Sequence, residues 1–289
     1  MSRRFQSFII QTLQEAGAAA LSYYQKVGVK YHKKFQGDVV TEADLASNTI
    51  IRNAIKRAFP EHSILSEETG VEGMHSSEYM WIVDPLDGTR SFAHQTPLWG
   101  VMVGLARNGE MVAAGIYDPI HGEMVCGEAG SGVQWNGKPV RISAENDFWS
   151  SYGMVSMGCL PWMHRLRATL YRSFEGSRVF VCELGSAALS GLYMATGRRD
   201  WRAAWNFAVW DAAIPAFLAR EAGCVVTNVL GEPWSLRDRT YLAAPQALHS
   251  DLLAIFTEVA QEVKDSIYFE EAEIKALMPS VEKDERMPG

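Results

Sequence analysis

No two of the four cysteines, Cys126, Cys159, Cys182 and Cys224, form a C-x-x-C pair, and none has a histidine at zinc-ligand spacing. Scattered single cysteines in a chain of 289 residues read as reduced core thiols, so neither a disulfide scaffold nor a zinc site is expected, and the expected compartment is the cytoplasm. Basic charge is also scarce. The 27 lysines and arginines stand against 34 acids, a net charge of −7, which argues against nucleic acid as a general partner. No apolar run approaches the roughly 18 residues of a membrane span. The N-terminal MSRRFQSFIIQTLQEAGAAA has the arginines and small residues of an export signal, but Gln6, Gln11, Gln14 and Glu15 break its apolar stretch. Phe5, Phe8, Ile9, Leu13, Ala16 and Ala20 fall instead on one helical stripe, the pattern of an amphipathic packing helix.

What is present is ordinary globular material, 47% hydrophobic and 21% charged, with no internal repeat and no low-complexity linker. A short strand is expected within Val29–Phe35, then a turn at Gly37-Asp38. Thr41-Glu42-Ala43-Asp44 has the form of a capping box for a helix that Pro60 ends. Ser63–Ser66 reads as a strand delivering Glu67 and Glu68 at its end. From Trp99 to Ser143, apolar stretches alternate with Asn108-Gly109, His121-Gly122 and Asn136-Gly137, which predicts an antiparallel meander. The second half alternates helices (Leu166–Phe174, Gly185–Thr196, Trp210–Ala222, His249–Lys264) with strands (Val179–Cys182, Val225–Val229, Tyr241–Ala244), a layered α/β pattern. The expected organisation is residues 1–145, a half with the antiparallel sheet and most site acids, then 146–270, a half completing the site, then a fraying tail over 271–289.

The sharpest feature is Trp-Ile-Val-Asp-Pro-Leu-Asp-Gly-Thr at residues 81–89, an apolar run ending in two acids around a proline. Two carboxylates this close repel unless a cation lies between them. Pro85 stiffens their link, Gly88 lets backbone approach a ligand, and Thr89 offers a hydroxyl and a cap. Asp44, Glu67, Glu68 and Asp211 are further acids at strand ends or helix starts. Oxygen ligands without histidine or cysteine suit Mg²⁺ shared with a substrate phosphate.

DPLDGT after an apolar strand, preceded by SEE and followed by WDAAIPAFLAREAG, resembles the inositol monophosphatase family of magnesium-dependent, lithium-sensitive phosphomonoesterases, over about Gly37 to Val229. The resemblance implies an α/β (α+β) fold, a layered α-β-α-β-α sandwich with an antiparallel sheet in the first half and a mixed sheet in the second. It also implies two or three Mg²⁺ ions as cofactor, a homodimer, and a small-molecule phosphate ester as partner, with no nucleic acid or membrane. Carried over residue by residue, Glu67, Asp84 and the Leu86 carbonyl match the ligands of one metal, and Asp84, Asp87 and Asp211 those of a second. Thr89, backed by Asp44 and with Glu68 beside it, matches the group that positions water for direct attack of a metal-bound water on phosphorus. Gly88 and Thr89 match phosphate contacts, and Lys33 a lysine near the site. Leu184-Gly185-Ser186-Ala187-Ala188 resembles the stretch lining the inositol pocket, so Gly185, Ser186 and Ala187 are expected to bind substrate with Glu67, Leu86, Asp87, Gly88, Thr89 and Asp211.

Inositol 1-phosphate is the first substrate expectation, with histidinol phosphate and nucleotide 3′-phosphates as alternatives. A non-catalytic regulatory binding protein is the alternative of another class. Tyr117-Asp118-Pro119 and Asn136-Gly137 with Ser143 also resemble the inositol branch. Two positions depart from it. Ala204 stands where that branch has a hydroxyl-binding glutamate, and Arg90-Ser91 follows DGT in place of Thr-Asn. Trp201, Trp205, Phe207 and Trp210 offer either a stacking wall for a ring substrate or core packing.

Overall fold

Helix α1 (Arg4–Tyr24) buries Ile9, Leu13, Ala16 and Ala20 along the expected stripe. Helix α2 (Glu42–Ala58) starts where the capping box predicts. Thr41 Oγ1 accepts from the Ala43 amide at 3.2 Å, and the Thr41 amide donates to Asp44 Oδ2 at 2.8 Å. The two helices pack side by side on one face of an eight-stranded sheet. The computed structural model describes residues 4–25, 31–33, 39–74, 76–157, 163–205 and 207–260. The turn expected at Gly37-Asp38, the end of the last helix and the tail lie outside these residues.

A two-stranded ribbon, β1 (Tyr31–Lys33) with β2 (Val39–Thr41), precedes α2. The large sheet contains β3 (Ser63–Ser66), β4 (Gly70–Glu72), β5 (Tyr79–Asp87), β6 (Gly100–Arg107), β7 (Glu110–Asp118), β8 (Glu123–Glu128), β9 (Val133–Trp135) and β10 (Lys138–Pro139). Its order is β10-β9-β8-β7-β6-β5-β3-β4. The meander is antiparallel as expected, with Asn108-Gly109 and Asn136-Gly137 both at positive φ in their hairpin turns. One pair, β3 with β5, is parallel. The hairpin to β4 folds onto the sheet edge, so the chain recrosses β3 before entering β5.

After a short helix, α3 (Thr89–Ala93), which follows β5, and the meander, the second half supplies β11 (Tyr152–Met157), α4 (Met163–Ser173), β12 (Phe180–Cys182), α5 (Ala187–Ala195), β13 (Trp201–Trp205), α6 (Val209–Ala222), β14 (Val225–Thr227), β15 (Thr240–Ala244) and α7 (Gln246–Ala260). The five strands run β12-β11-β13-β15-β14, with β11 parallel to both neighbours and the β15 pairings antiparallel. Helices α5 and α6 lie between the two sheets, and α4 and α7 cover the far face of the second, giving an α-β-α-β-α sandwich.

Besides the short β2 and β4, the two central strands β11 and β13 escaped the sequence reading. In β13 all five residues are buried, so Trp-Arg-Ala-Ala-Trp shows no alternation of polar and apolar side chains. Its partner β11 carries Gly153 because the Trp201 indole lies across it, where a Cβ would sit 1.9 Å from the ring. Trp201 and Trp205 are thus fully buried among Phe256 and the α4 and α7 side chains, and Phe207 and Trp210 pack against the core between the sheets. Trp201 and Trp205 are therefore core, while Phe207 and Trp210 are half-buried.

Candidate active site

Strand β5 ends in a bulge. Its pairing with β6 shifts between Asp84, opposite Met102, and Asp87, opposite Gly100, so Pro85 and Leu86 together face Val101. Proline has no N–H for the ladder, which makes this a natural place to break it. The freed backbone groups find other partners. Ser47 Oγ donates to the Pro85 carbonyl at 2.6 Å, and the Leu86 amide donates to Asp84 Oδ1 at 3.1 Å. The next residue, Gly88, has φ 82°, and a Cβ there would meet the Leu98 carbonyl at 2.5 Å. Position 88 therefore requires glycine for both conformation and space.

The bulge aims Asp84 and Asp87 at the middle helix layer. Asp87 meets the start of α5, where the Ala187 and Ala188 amides donate to its carboxylate at 3.0 and 2.9 Å and Ser186 Oγ adds a short hydrogen bond. Asp211, in the first turn of α6, completes a group with Asp84 and Asp87 whose ligand oxygens lie within 4.8 Å of one another. Burial pushes all three carboxyls up, and the charges of neighbouring acids add to the rise of Asp84 and Asp211. For Asp84 the burial effect is largest, followed by the charges of Glu67, Asp87, Asp211 and Asp44. Asp211 is raised by burial, then by Asp87 and Glu67. Asp87 is raised by burial, against the hydrogen bonds from Ser186, Ala188 and Ala187. Glu67 follows β3 and is tied there by its amide, which donates to the Val83 carbonyl at 3.1 Å.

Thr89 links this cluster to α2. Its hydroxyl lies 3.1 Å from Asp44 Oδ1 and 3.0 Å from the Leu86 carbonyl. Asp44 is 1% exposed, and its carboxyl is pushed up to about 6, mainly by burial, with the Glu68 charge adding to the rise and the Thr41 hydrogen bonds opposing it. The fold thus gathers Asp44, Glu67, Glu68, Asp84, Leu86, Asp87, Gly88, Thr89, Ser186, Ala187 and Asp211, from five separate stretches of chain. All the donors in the cluster are oxygens, and repelling carboxylates held this close by backbone geometry are the donor set a hard divalent cation satisfies.

Ser186 and Ala187 join the cluster through Asp87, and the remaining expected residues sit elsewhere. Ser186 Oγ and the Ala187 amide are engaged with Asp87, and Ser186 Oγ also accepts from the Leu189 amide at 3.1 Å as the α5 cap. Gly185 is exposed at φ 68°. Arg90 is exposed on α3, and Lys33 lies in β1 with its side chain outside the described residues. Asp118, Asn136 and Ser143 hold local structure: Asp118 takes the Ile120 and His121 amides, Asn136 the Met124 amide, and Ser143 bonds Asp200. Ala204 is wholly enclosed, on the face of β13 that also carries Arg202. Arg202 escaped the sequence reading, since one arginine in WRAAW carries no motif.

A buried, all-oxygen carboxylate cluster at the junction of a bulged strand and two helix starts defines a class of phosphatase built on a five-layer sandwich. The chain belongs to the inositol monophosphatase family, whose model matches residues 1–261. It is 27% identical over 256 residues to the fructose-1,6-bisphosphatase/inositol-1-monophosphatase of Thermotoga maritima, covering 89% of this chain and 97% of that one. It is 31% identical over 227 residues to the Nus factor SuhB of Escherichia coli, covering 77% and 84%. The crystal structure of the extragenic suppressor protein suhB from Bartonella henselae superposes with a TM-score of 0.82 at 30% identity, covering 87% of this chain and 98% of that one.

Proposed function

We propose that this chain is a Mg²⁺-dependent phosphomonoesterase that hydrolyses a small phosphorylated metabolite by direct attack of water, with inositol 1-phosphate the first candidate substrate. The observation that carries the reading is the group of Asp84, Asp87 and Asp211, with oxygens within 4.8 Å and carboxyls pushed up by burial, and for Asp84 and Asp211 also by neighbouring acids. In this reading Glu67, Asp84 and the Leu86 carbonyl hold one cation, Asp84, Asp87 and Asp211 a second, and a third is accommodated with the substrate. The bound cations supply Lewis-acid neutralisation of phosphoryl oxygens and a lowered water pKa.

The chain's own residues do the rest. Asp44 accepts from Thr89, so the hydroxyl is oriented and its oxygen faces the water it positions. Glu68, beside Asp44, adds a proton acceptor at the same place. Gly88, at φ 82°, turns the chain so that the amides of the Gly88-Thr89 turn can be offered to a phosphate. Ser186 and the first amides of α5 fix Asp87 and so contribute to the substrate side indirectly. Cytoplasmic location and a homodimer complete the reading. The described cysteines Cys126, Cys182 and Cys224 are free thiols, which agrees with a reducing compartment.

The alternatives within the family are a histidinol-phosphate phosphatase and a nucleotide 3′-phosphatase, and outside catalysis a regulatory binding protein. The Nus factor name of one relative keeps the last in view, and the complete set of acids in this chain favours catalysis. Phosphate release from inositol 1-phosphate, histidinol phosphate, adenosine 3′,5′-bisphosphate and fructose 1,6-bisphosphate, each with Mg²⁺, with EDTA and with added Li⁺, tests all of these. Mg²⁺-dependent release from one ester supports the reading and selects the branch, and inhibition by Li⁺ supports the lithium-sensitive character. No release from any ester by folded, Mg²⁺-binding protein favours the binding-protein alternative. Sedimentation gives the oligomeric state.

A further inference from the structure

We propose that Arg202, a guanidinium sealed behind the carboxylate cluster, is a resident counter-charge that weakens the cluster's hold on divalent cations and stabilises the metal-free protein. The inference rests on the metal-holding role proposed above. Arg202 is 0% exposed, at the middle of a fully buried strand, with Met154 of β11 and Ala243 of β15 as its apolar cross-strand neighbours. Burying a cation this completely is costly without opposite charge nearby. Yet its hydrogen bonding is poor. Nη1 donates to the Ala187 carbonyl at 3.3 Å, while Nε and Nη2 are buried without a partner. The guanidinium carbon lies 5.1 Å from the Tyr241 ring centroid, and the Tyr241 hydroxyl lies near enough to interact with the guanidinium, though not in good hydrogen-bond geometry.

The opposite charge is that of the site. Ala187, whose carbonyl Arg202 holds, gives its amide to Asp87, so one residue separates the cation from a cluster carboxylate. Arg202 lies near enough to both Asp87 and Asp211 for its charge to act on them. In the metal-free protein this positive charge offsets part of the repulsion among the acids. When a divalent cation enters, the same charge repels it. Removing Arg202 therefore acts in opposite directions on the two states, which no packing role does.

The test compares Mg²⁺ binding by calorimetry, and melting temperature in EDTA and in saturating Mg²⁺, for the full chain and for Arg202→Met and Arg202→Lys. Arg202→Met is expected to bind Mg²⁺ on the order of tenfold tighter, since a unit charge in a partly screened interior acts at that scale. Its melting temperature should fall several degrees more in EDTA than in Mg²⁺. Arg202→Lys, which keeps the charge and loses the fork, should bind Mg²⁺ within about twofold of the parent. Equal losses in both buffers with unchanged Mg²⁺ affinity would overturn the inference and leave a packing residue. Weaker Mg²⁺ binding by Arg202→Met would also overturn it, by showing that Arg202 positions Asp87 through Ala187. If Arg202→Met does not fold even with Mg²⁺, Arg202→Gln carries the same comparison, with the same outcomes deciding. Absence of saturable Mg²⁺ binding by the parent protein overturns both the metal-holding role and this inference, whereas the other outcomes bear on Arg202 alone.

Discussion

Replacing Asp84 by asparagine should make the protein a far poorer catalyst and, without metal, a more stable fold. Asp84 is 1% exposed, and its oxygens lie within 4.8 Å of those of Asp87 and Asp211. Two unit charges at that distance, at an effective dielectric of about 20, repel by roughly 3 kcal/mol. The cluster avoids much of this by taking up protons, so the relief realised at neutral pH is smaller, about 1–2 kcal/mol. Asparagine preserves the shape and can still accept the 3.1 Å hydrogen bond from the Leu86 amide, so no cavity or orphaned donor offsets the gain. At about 2 °C per kcal/mol for a chain of this length, the melting temperature in EDTA should rise by about 2–4 °C. In saturating Mg²⁺ the order should reverse if Asp84 is shared by two cations as proposed, because the stabilisation that comes with occupancy is then lost. Phosphate release should fall by at least about 10³-fold. The assay is a pair of melts in EDTA and Mg²⁺ beside a turnover measurement on the best substrate. Turnover within tenfold of the parent, or equal destabilisation in both buffers, would refute the reasoning.

Thr89→Ala should lower turnover by about 10²- to 10⁴-fold with little change in fold, and Thr89→Ser should recover most of it, since the hydroxyl bonded to Asp44 is what acts. Ser186→Ala removes the α5 cap and one of three hydrogen bonds to Asp87, so a loss of about 1 kcal/mol in stability and weaker Mg²⁺ binding are expected in denaturant and calorimetric titrations. Gly88→Ala places a Cβ 2.5 Å from the Leu98 carbonyl at φ 82°, and should cost about 1–3 kcal/mol and abolish measurable turnover; a normal melt with normal turnover would contradict the assigned geometry. In EDTA, stability should decline as pH rises from about 4 through about 6. Asp44 is pushed up to about 6 by burial, so the folded chain holds its proton longer than the unfolded chain and loses that advantage over this range, with the raised Asp84, Asp87 and Asp211 acting in the same sense. A melting temperature that rises across that range in EDTA would count against this.

Much of the fold was legible because its signals are local. The stripe of α1, the capping box of α2 and the two Asn-Gly turns each depend on residues a few positions apart. The DPLDGT acids were legible for the same reason, since their spacing and the intervening proline announce a charged strand end, although not the bulge that forms it. What escaped depends on long-range packing. Strand β13 is buried throughout and β11 at four of its six residues, so neither shows a clear alternation. The Trp201 and Trp205 side chains are assigned to core only when α4 and α7 are seen to cover them. The engagement of Ser186 and Ala187 with Asp87, a hundred residues away in sequence, is a contact between strand and helix that no local pattern encodes. Arg202 is the extreme case, a single charge whose partners all come from other elements.

The three clustered carboxylates come from the end of β5 and the start of α6, and Asp87 is steadied by the start of α5. During synthesis, Asp84 and Asp87 leave the ribosome long before Asp211 exists. If these carboxylates hold a cation as proposed, a high-affinity site cannot form until α6 has docked between the two sheets. An ion that binds only then stabilises the finished molecule and none of its partial forms, drawing the last assembly step forward by mass action. The same geometry makes cation loss an early event in unfolding, since any separation of α6 from the large sheet pulls the coordinating oxygens apart.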